Sequence, residues 1–322
     1  MNRKVVFIGA LALFQWVCLG NGHSDEQEGD FVASTNGVAL SLKVPANPRD
    51  PNPTSFTLWQ LPSQKNTIQM SYVLRSIGGK LVVIDGGKTH DAEYLRNFIR
   101  TQGNHVSAWF ITHPHSDHVD ALTWILSNPD GMVIDNIYAS FPPMEWYQKY
   151  APGTAGTLSN FFAALENANR SYTDADPGDA FDIDKIHIEI LSTESPELTA
   201  DAVNNSSMTM RVSDPAKTVL FLADLSLDGG NKLLGNIDHA KLKAEYVQMA
   251  HHGQGAVSEA FYQVVQPTYC LWPTPLWLWN NDRHGGGYDS GPWTTLETRQ
   301  WMDDLNVKSN YVSCLSGLVE IK

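Results

Sequence analysis

Apolar positions along this chain recur with two periods that alternate from segment to segment. Residues 56–61 and 69–76 read as strands, and 80–84 is a buried-strand run, Lys-Leu-Val-Val-Ile, that ends in Asp85-Gly86-Gly87. Gly78-Gly79, between the last two, predicts a tight hairpin. Residues 91–102 carry apolar side chains at helical spacing, 108–111 are an apolar strand, and 119–126 return to the helical period until Asn128-Pro129-Asp130-Gly131 stops it. Another strand is expected at 133–140. The pattern loosens from 141 to 180, with an aromatic-rich turn at 142–147, a helix at 157–169 and an acidic turn region at 171–179. Beyond it, 181–191 alternates isoleucine with charged residues as a half-exposed strand, while 208–212 and 218–222 pair through Asp214-Pro215. A short strand at 246–249 follows, and the segments 264–271, 296–305, 311–314 and 318–321 read strand, helix, strand, strand. This interleaving predicts an α/β fold, with no internal repeat and no glycine-rich nucleotide loop.

The densest chemistry falls between the strand at 108–111 and the helix at 119–126, in His113-Pro114-His115-Ser116-Asp117-His118. A strand ending in a tight loop points the alternate residues His113 and His115 at one spot, while Asp117 and His118 reach a second spot from the start of the helix. That arrangement suits two metal ions about 3.5–4 Å apart, each with its own pair of ligands. As a plain polar helix start, with Asp117 as its cap, the stretch would hold three histidines beside an apolar strand without using their lone pairs. Asp224 stands at the end of the apolar strand 218–222, where an unpaired carboxylate is costly; bridging two cations removes that cost. His251-His252-Gly253 follows the strand 246–249, and the glycine permits a tight turn. Adjacent strand residues point opposite ways, so one histidine can bind metal while the other faces substrate. Either order satisfies the alternation; we assign His252 to metal and His251 to the substrate side. Asp85, in its Asp-Gly-Gly turn, is expected to orient a metal ligand.

The His-x-His-x-Asp-His hexapeptide resembles the signature of the metallo-β-lactamase superfamily, and later segments match that family in order from about residue 57 to the C-terminus. The resemblance implies a four-layer α/β/β/α sandwich over 54–322. It also implies a metal site at one edge of the two sheets with ligands His113, His115, Asp117, His118, Asp224 and His252, Asp224 bridging. It further suggests that the insertion at about 141–180 lies over the site and shapes a pocket. Many members supply a third histidine to the first metal, and none fits here, since His187 lies mid-strand. Asn204-Asn205-Ser206-Ser207 occupies the corresponding place. With His-His-Gly, this is similar to a narrower branch, the hydrolase domain of the competence DNA-uptake channel protein and the secreted phosphorylcholine esterases. Asn205 or Ser207 is then expected near the first metal or its water, and His284, beside Arg283 in an Asn- and Gly-rich loop, is expected to contact a substrate anion. Trp146, Tyr147, Trp272, Trp277, Trp279 and Trp293 are candidates either for a pocket wall or for core packing.

Composition narrows the function classes. The chain has 322 residues, 42% hydrophobic, enough for a full core. Arg3-Lys4 and the apolar stretch 5–19 read as a secretory signal peptide within 1–22, and 23–53 as a tether with one strand-like piece at 38–44. No membrane span is expected in the mature chain. Cys270 and Cys314, left after leader removal, either pair or stay as buried thiols. A formal charge of −13 argues against a broad nucleic-acid face, although a local groove for a single strand stays open as a second partner class. The expectation is an exported binuclear hydrolase acting on a phosphoester or phosphodiester, with a small-molecule or phosphoester substrate as its partner. The cofactors would be two divalent ions, zinc first and manganese as the alternative for an oxygen-rich set. A water between such ions loses its proton near neutral pH and attacks, with Asp117 or His251 handling the proton of the leaving group. A lactamase or lactonase is the enzymatic rival, and an exported metal-binding protein without turnover is the rival of another class.

Overall fold

The computed structural model describes residues 55–322 and the backbone of 29–35 and 38–44. The expected leader at 1–22, Cys18 included, lies outside the described residues. Within the expected tether, β1 (Gly29–Thr35) and β2 (Val38–Val44) pair antiparallel with each other, so 38–44 is half of a two-stranded ribbon.

Among the described residues, two seven-stranded sheets carry the rest of the chain. The first holds β3 (Thr57–Gln60), β4 (Ser71–Arg75), β5 (Leu81–Asp85), β6 (His105–Phe110), β7 (Val133–Ala139) and β8 (Thr173–Asp174). The second holds β9 (Ala180–Ile183), β10 (Ile186–Ser192), β11 (Thr209–Ser213), β12 (Thr218–Phe221), β13 (Tyr246–Gln248), β14 (Tyr269–Trp272) and β15 (Ser309–Val312). The last strand, β16 (Val319–Ile321), returns to the first sheet beside β3. Each sheet begins antiparallel and turns parallel: β5 to β8 in the first, β12 to β15 in the second. Parallel strands end on a common edge, which is where open α/β sheets build sites.

The strand period decides the layers. On β5 and β6, Val82, Ile84, Ala108 and Phe110 face the second sheet and pack with Ile188, Met210, Val212, Val219 and Phe221. Their neighbours Val83, Val106 and Trp109 face outward, under α1 (Ala92–Thr101) and α2 (Ser116–Ser127). The insertion adds α3 (Met144–Tyr150) and α4 (Pro152–Asn167), whose Leu158, Phe161 and Leu165 join the same outer core. It is thus built into the helical layer over the first sheet. A short α5 (Ala202–Asn205) precedes β11. On the far side, Leu220, Val247, Cys270 and Trp272 lie with side chains of α6 (Leu227–Asn236), α7 (Glu259–Val265) and, beyond the short α8 (Leu276–Trp279), α9 (Thr295–Asp304). The result is the expected α/β/β/α sandwich. No helix among the described residues is long and apolar enough to cross a membrane.

Three expectations change. Residues 264–265 belong to α7, which Ser258 caps by accepting the Phe261 N–H and which buries Phe261, Tyr262 and Val265 at helical spacing, so the strand starts only at Tyr269. The aromatic turn at 142–147 is mostly α3: Pro143 stands just before its first turn, where a missing N–H costs nothing. The strand expected at 181–191 is a hairpin broken at Asp184, whose φ is 54°. Cys270 and Cys314 are free thiols, Cys270 packed against Met302.

Candidate metal centre

Four of the side chains at the sheet edge come from the exit of β6. Ile111 still bonds to the β7 backbone, donating to Tyr138 O at 2.8 Å, and Thr112 follows as the chain leaves the sheet. His113 is buried there; His115, at φ −70° and ψ 150°, is the last extended residue before α2, and Asp117 and His118 lie buried in the first turn. Two backbone ties fix this loop, Met208 N–H to Thr112 O at 2.9 Å and Met70 N–H to Asp117 O at 3.0 Å.

The second sheet supplies Asp224 and His252. Asp224 Oδ2 lies 3.7 Å from His113 Nε2, 3.3 Å from His118 Nε2 and 3.4 Å from His252 Nε2, while His252 Nε2 is 3.0 Å from Asp117 Oδ2. Two donor groups result, Asp117, His118, Asp224 and His252 in one and His113, His115 and Asp224 in the other, with the ligand atoms of each within 4.8 Å of one another. Asp224 is common to both.

The far nitrogens of the rings are tied down. His118 Nδ1 is 2.7 Å from Asp85 Oδ2, and Asp85 in turn accepts from Thr112 N–H at 2.8 Å and Thr112 Oγ1–H at 2.7 Å. His252 Nδ1 donates to Pro273 O at 3.0 Å, and Thr274 Oγ1–H donates to His252 O at 2.6 Å. His113 Nδ1 has Thr112 Oγ1 at 3.2 Å and Ser207 Oγ at 3.5 Å. These contacts turn Nε2 of each ring inward, which is how proteins present imidazole to a metal.

Whether these residues fit cations is answered by what they leave unsatisfied. His118 Nε2 and Asp224 Oδ1 are buried without a hydrogen-bond partner, a costly state for a polar atom unless something else binds it. Burial opposes charge on His118, yet the facing carboxylates Asp224 and Asp85 outweigh it and raise the ring well above its ordinary value. On His252 burial also works against charge, and Asp224 and Asp117 push the ring up to about 9. Asp224 and Asp117, though buried, are held below the ordinary carboxylate range by those rings. Burial, with His118 beside it, drives His113 the other way, well below. A buried set of imidazoles and carboxylates in which positive charge is needed at the middle fits two divalent cations. The four-donor group matches the tetrahedral preference of zinc, and the three-donor group is one ligand short of it.

The backbone carrying His251 and His252 departs from the sequence expectation. Neither residue lies on a strand: His251 has φ 47° and ψ 48°, His252 φ 56° and ψ 20°, and Gly253 φ 87°. The pair diverges because two successive left-handed residues rotate the chain. Gly253 has no alternative, since a Cβ there would run into the Trp272 ring as well as strain the backbone. His252 joins the donors as assigned, and His251, half-buried, turns Nε2 to Asn204 Nδ2 at 3.4 Å and Gln254 Nε2 at 3.2 Å.

The remaining expected site residues are placed differently. Asn205 is not at the centre: its Nδ2 donates to Ala200 O at 2.8 Å in the loop before α5, and its Oδ1 accepts from Gly229 N–H at 2.8 Å, tying α5 to α6. Its neighbour Asn204 faces His251, because one step around a helical turn swings the side chain by about 100°. Ser207 approaches His113 from behind, its Oγ 3.5 Å from Nδ1 on the side of the ring turned away from the other donors. His284 is exposed in the loop after α8 and makes no hydrogen bond or ion pair with the donors among the described residues. Trp272 and Trp279 pack edge to face under α9, while Trp277 and Trp293 pair with ring centres 4.8 Å apart. Sequence reasoning missed Thr112, Asn204, Gln248, Pro273 and Thr274. A hydroxyl beside the hexapeptide was the one local signal among them.

A family model described as the metallo-beta-lactamase superfamily matches residues 66–251, more than half of the chain. A search of the curated proteins finds no match. Among solved structures, the metallo-beta-lactamase fold protein YhfI from Bacillus subtilis is 16% identical, covering 83% of this chain and 99% of its own, with a TM-score of 0.51. CmlA, a diiron beta-hydroxylase from Streptomyces venezuelae, is 10% identical at a TM-score of 0.51, with 85% of this chain and 55% of that one covered. At these identities the likeness is one of fold.

Proposed function

The chain belongs to the metallo-beta-lactamase superfamily, and on that premise we propose that it is an exported hydrolase that holds two divalent cations and cleaves a phosphoester or phosphodiester. The observation that carries the proposal is Asp224, one buried carboxylate shared by two donor groups drawn from both sheets. His113, His115 and Asp224 would hold one cation, and Asp117, His118, Asp224 and His252 the other. Such a pair supplies Lewis acidity, lowering the pKa of a bound water toward neutrality and offsetting negative charge that develops on the substrate.

The chain's own groups do the rest. Asp85 and Pro273 O fix the orientation of His118 and His252, so the donors need no reorganisation when substrate arrives. His251 is the residue we assign to the leaving group: beside the donors but outside both donor groups, it holds its Nε2 near the Asn204 and Gln254 amides, and as the imidazolium it would give up one ring proton to the departing oxygen and return to the neutral ring. Asp117, hydrogen-bonded to His252, is committed to the donor set, and His251 takes the proton role that the sequence left between the two. The choice of a phosphorus centre rests on the likeness of Asn204-Asn205-Ser206-Ser207 and His251-His252-Gly253 to the phosphoesterase branch; the missing third histidine counts against a lactam. Export rests on the leader pattern at 1–22.

The test is elemental analysis for zinc, manganese and iron, the last because CmlA, similar in fold over part of its length, is a diiron beta-hydroxylase. It is joined to turnover of bis-p-nitrophenyl phosphate, p-nitrophenylphosphorylcholine and nitrocefin, beside Asp224→Ala. Phosphoester turnover lost in Asp224→Ala is expected. Turnover of nitrocefin alone would replace the substrate class, and metal without any turnover would favour a binding protein. A mature chain beginning near residue 23 in the extracytoplasmic fraction checks export.

A further inference from the structure

Gln248 is a fully buried amide at the carboxyl end of β13. β12 and β13 run parallel as far as Leu220 and Val247. Beyond Phe221 the chain leaves this ladder and enters a left-handed turn at Ala223, φ 51°, immediately before Asp224. The Gln248 amide takes over the hydrogen bonds that the ladder gives up. Its Oε1 accepts from Leu222 N–H at 2.9 Å and Ala223 N–H at 2.7 Å, and its Nε2 donates to Ala223 O at 3.1 Å and Met249 O at 2.7 Å. Ala223 O also accepts from His251 N–H at 2.9 Å. One side chain therefore joins the turn that presents Asp224 to the turn that presents His251 and His252.

We infer that Gln248 is a positioning residue for the cation centre, setting the spacing between Asp224 and His252, the two donors that come from the second sheet. The inference rests on the proposed cation site. The chemistry explains why an amide stands here. A left-handed alanine is unfavourable in a free chain and persists only where its surroundings over-determine it. An apolar side chain of the same length would fill the space but leave two buried N–H groups unpaired. A carboxylate could accept from those N–H groups but has no proton for the carbonyls of Ala223 and Met249.

The test uses the full chain as wild type, Gln248→Met, the double variant Ala223→Gly/Gln248→Met, and Val106→Ala as a core change remote from the site. Zinc ions per chain, zinc affinity against a chromophoric chelator, the visible absorption of the cobalt(II)-loaded protein and the thermal midpoint are measured together. Gln248→Met should lose about 10–100-fold in affinity for the zinc held by Asp117, His118, Asp224 and His252, the usual effect of removing a partner that orients a ligand, and its cobalt spectrum should change. Glycine at 223 takes the left-handed turn freely, so the double variant should regain part of the midpoint while its zinc affinity stays low; it carries the comparison if Gln248→Met does not fold. Val106→Ala should lower the midpoint alone. Two zinc ions bound to Gln248→Met with wild-type affinity and an unchanged cobalt spectrum would overturn the inference, whatever its midpoint. A wild-type chain that takes up no zinc, manganese or iron would instead bring down the cation site itself, and the role of Gln248 with it.

Discussion

The first sheet presents four donors from six consecutive residues on ordinary backbone, an extended exit from β6 followed by the first turn of α2. The second sheet presents two, Asp224 and His252, and it sets them on left-handed turns at Ala223, His251, His252 and Gly253, with φ between 47° and 87°. The first arm needs little support, since a strand-to-helix turn already points its alternate residues at one place. In the second arm the donors are single residues more than twenty apart in sequence, and each left-handed L-residue costs about 1–2 kcal/mol. That arm is accordingly braced, by Gln248, by Pro273 O and Thr274, and by the Trp272 ring lying against Gly253. A short motif with regular backbone can be legible in a sequence; a donor held by distant hydrogen bonds is legible only in the folded chain.

The sharpest way to break this contrast is at the residue the arms share. Asp224→Ala should release both cations and lower turnover by more than about a hundredfold, a loss of the size seen when a charge-stabilising group is removed. His115→Ala, which touches only the three-donor group, should keep one cation bound; equal metal loss in the two variants would show that the groups are not separable. The next effect tests whether the first arm is truly self-supporting. Asp85→Asn removes the charge behind His118 while keeping the size and the left-handed backbone, φ 55°, that asparagine tolerates. Cation affinity should fall about 10–100-fold with little change in thermal midpoint. No change in affinity would mean that Thr112 alone orients the ring.

Smaller still is the bracing of the second arm. Gly253→Ala should cost about 1–3 kcal/mol from crowding at Trp272, plus the left-handed penalty, read by chemical denaturation. An unchanged midpoint would show that the ring can yield. The effect farthest from the donors lies at the other end of β12, next to Lys217, whose Nζ donates to Phe56 O at 2.5 Å. Burial lowers this amine from 10.5 to about 8, against the pull of Asp214 and Glu245. Between those two values the unfolded chain binds more protons, so stability should rise as pH goes from about 8 to 10.5 and fall again on return. Lys217→Met should flatten that slope without altering metal content; a slope that persists would assign it to other groups.

Most of the sandwich was readable from period alone, because its central strands are short apolar runs set between turn signals and its covering helices keep their apolar residues at helical spacing. The segments misread are those whose state depends on a cap or a turn: the helix Ser258 starts, the helix after Pro143, the break at Asp184. The hexapeptide, Asp224 and the role of Asp85 were legible because each follows an apolar run within a few residues. Strand alternation, which the chain does not adopt at this point, said only that one of His251 and His252 would face the donors, and left the choice of His252 without a physical basis. Asn205 was named where Asn204 faces His251, since a four-residue helix gives no phase to read. Gln248 looked like one more polar residue at a strand end, and nothing nearby in sequence revealed its partners 25 and 26 residues away.

Two backbone bonds, Met208 to Thr112 and Met70 to Asp117, pin the donor loop of the first sheet between segments of both halves, and Asp224 and His252 emerge from the ribosome more than a hundred residues after His118. An unfinished chain thus has the conspicuous histidines without the means to grip an ion pair. Only a chain extended past His252 holds all six side chains of the two donor groups.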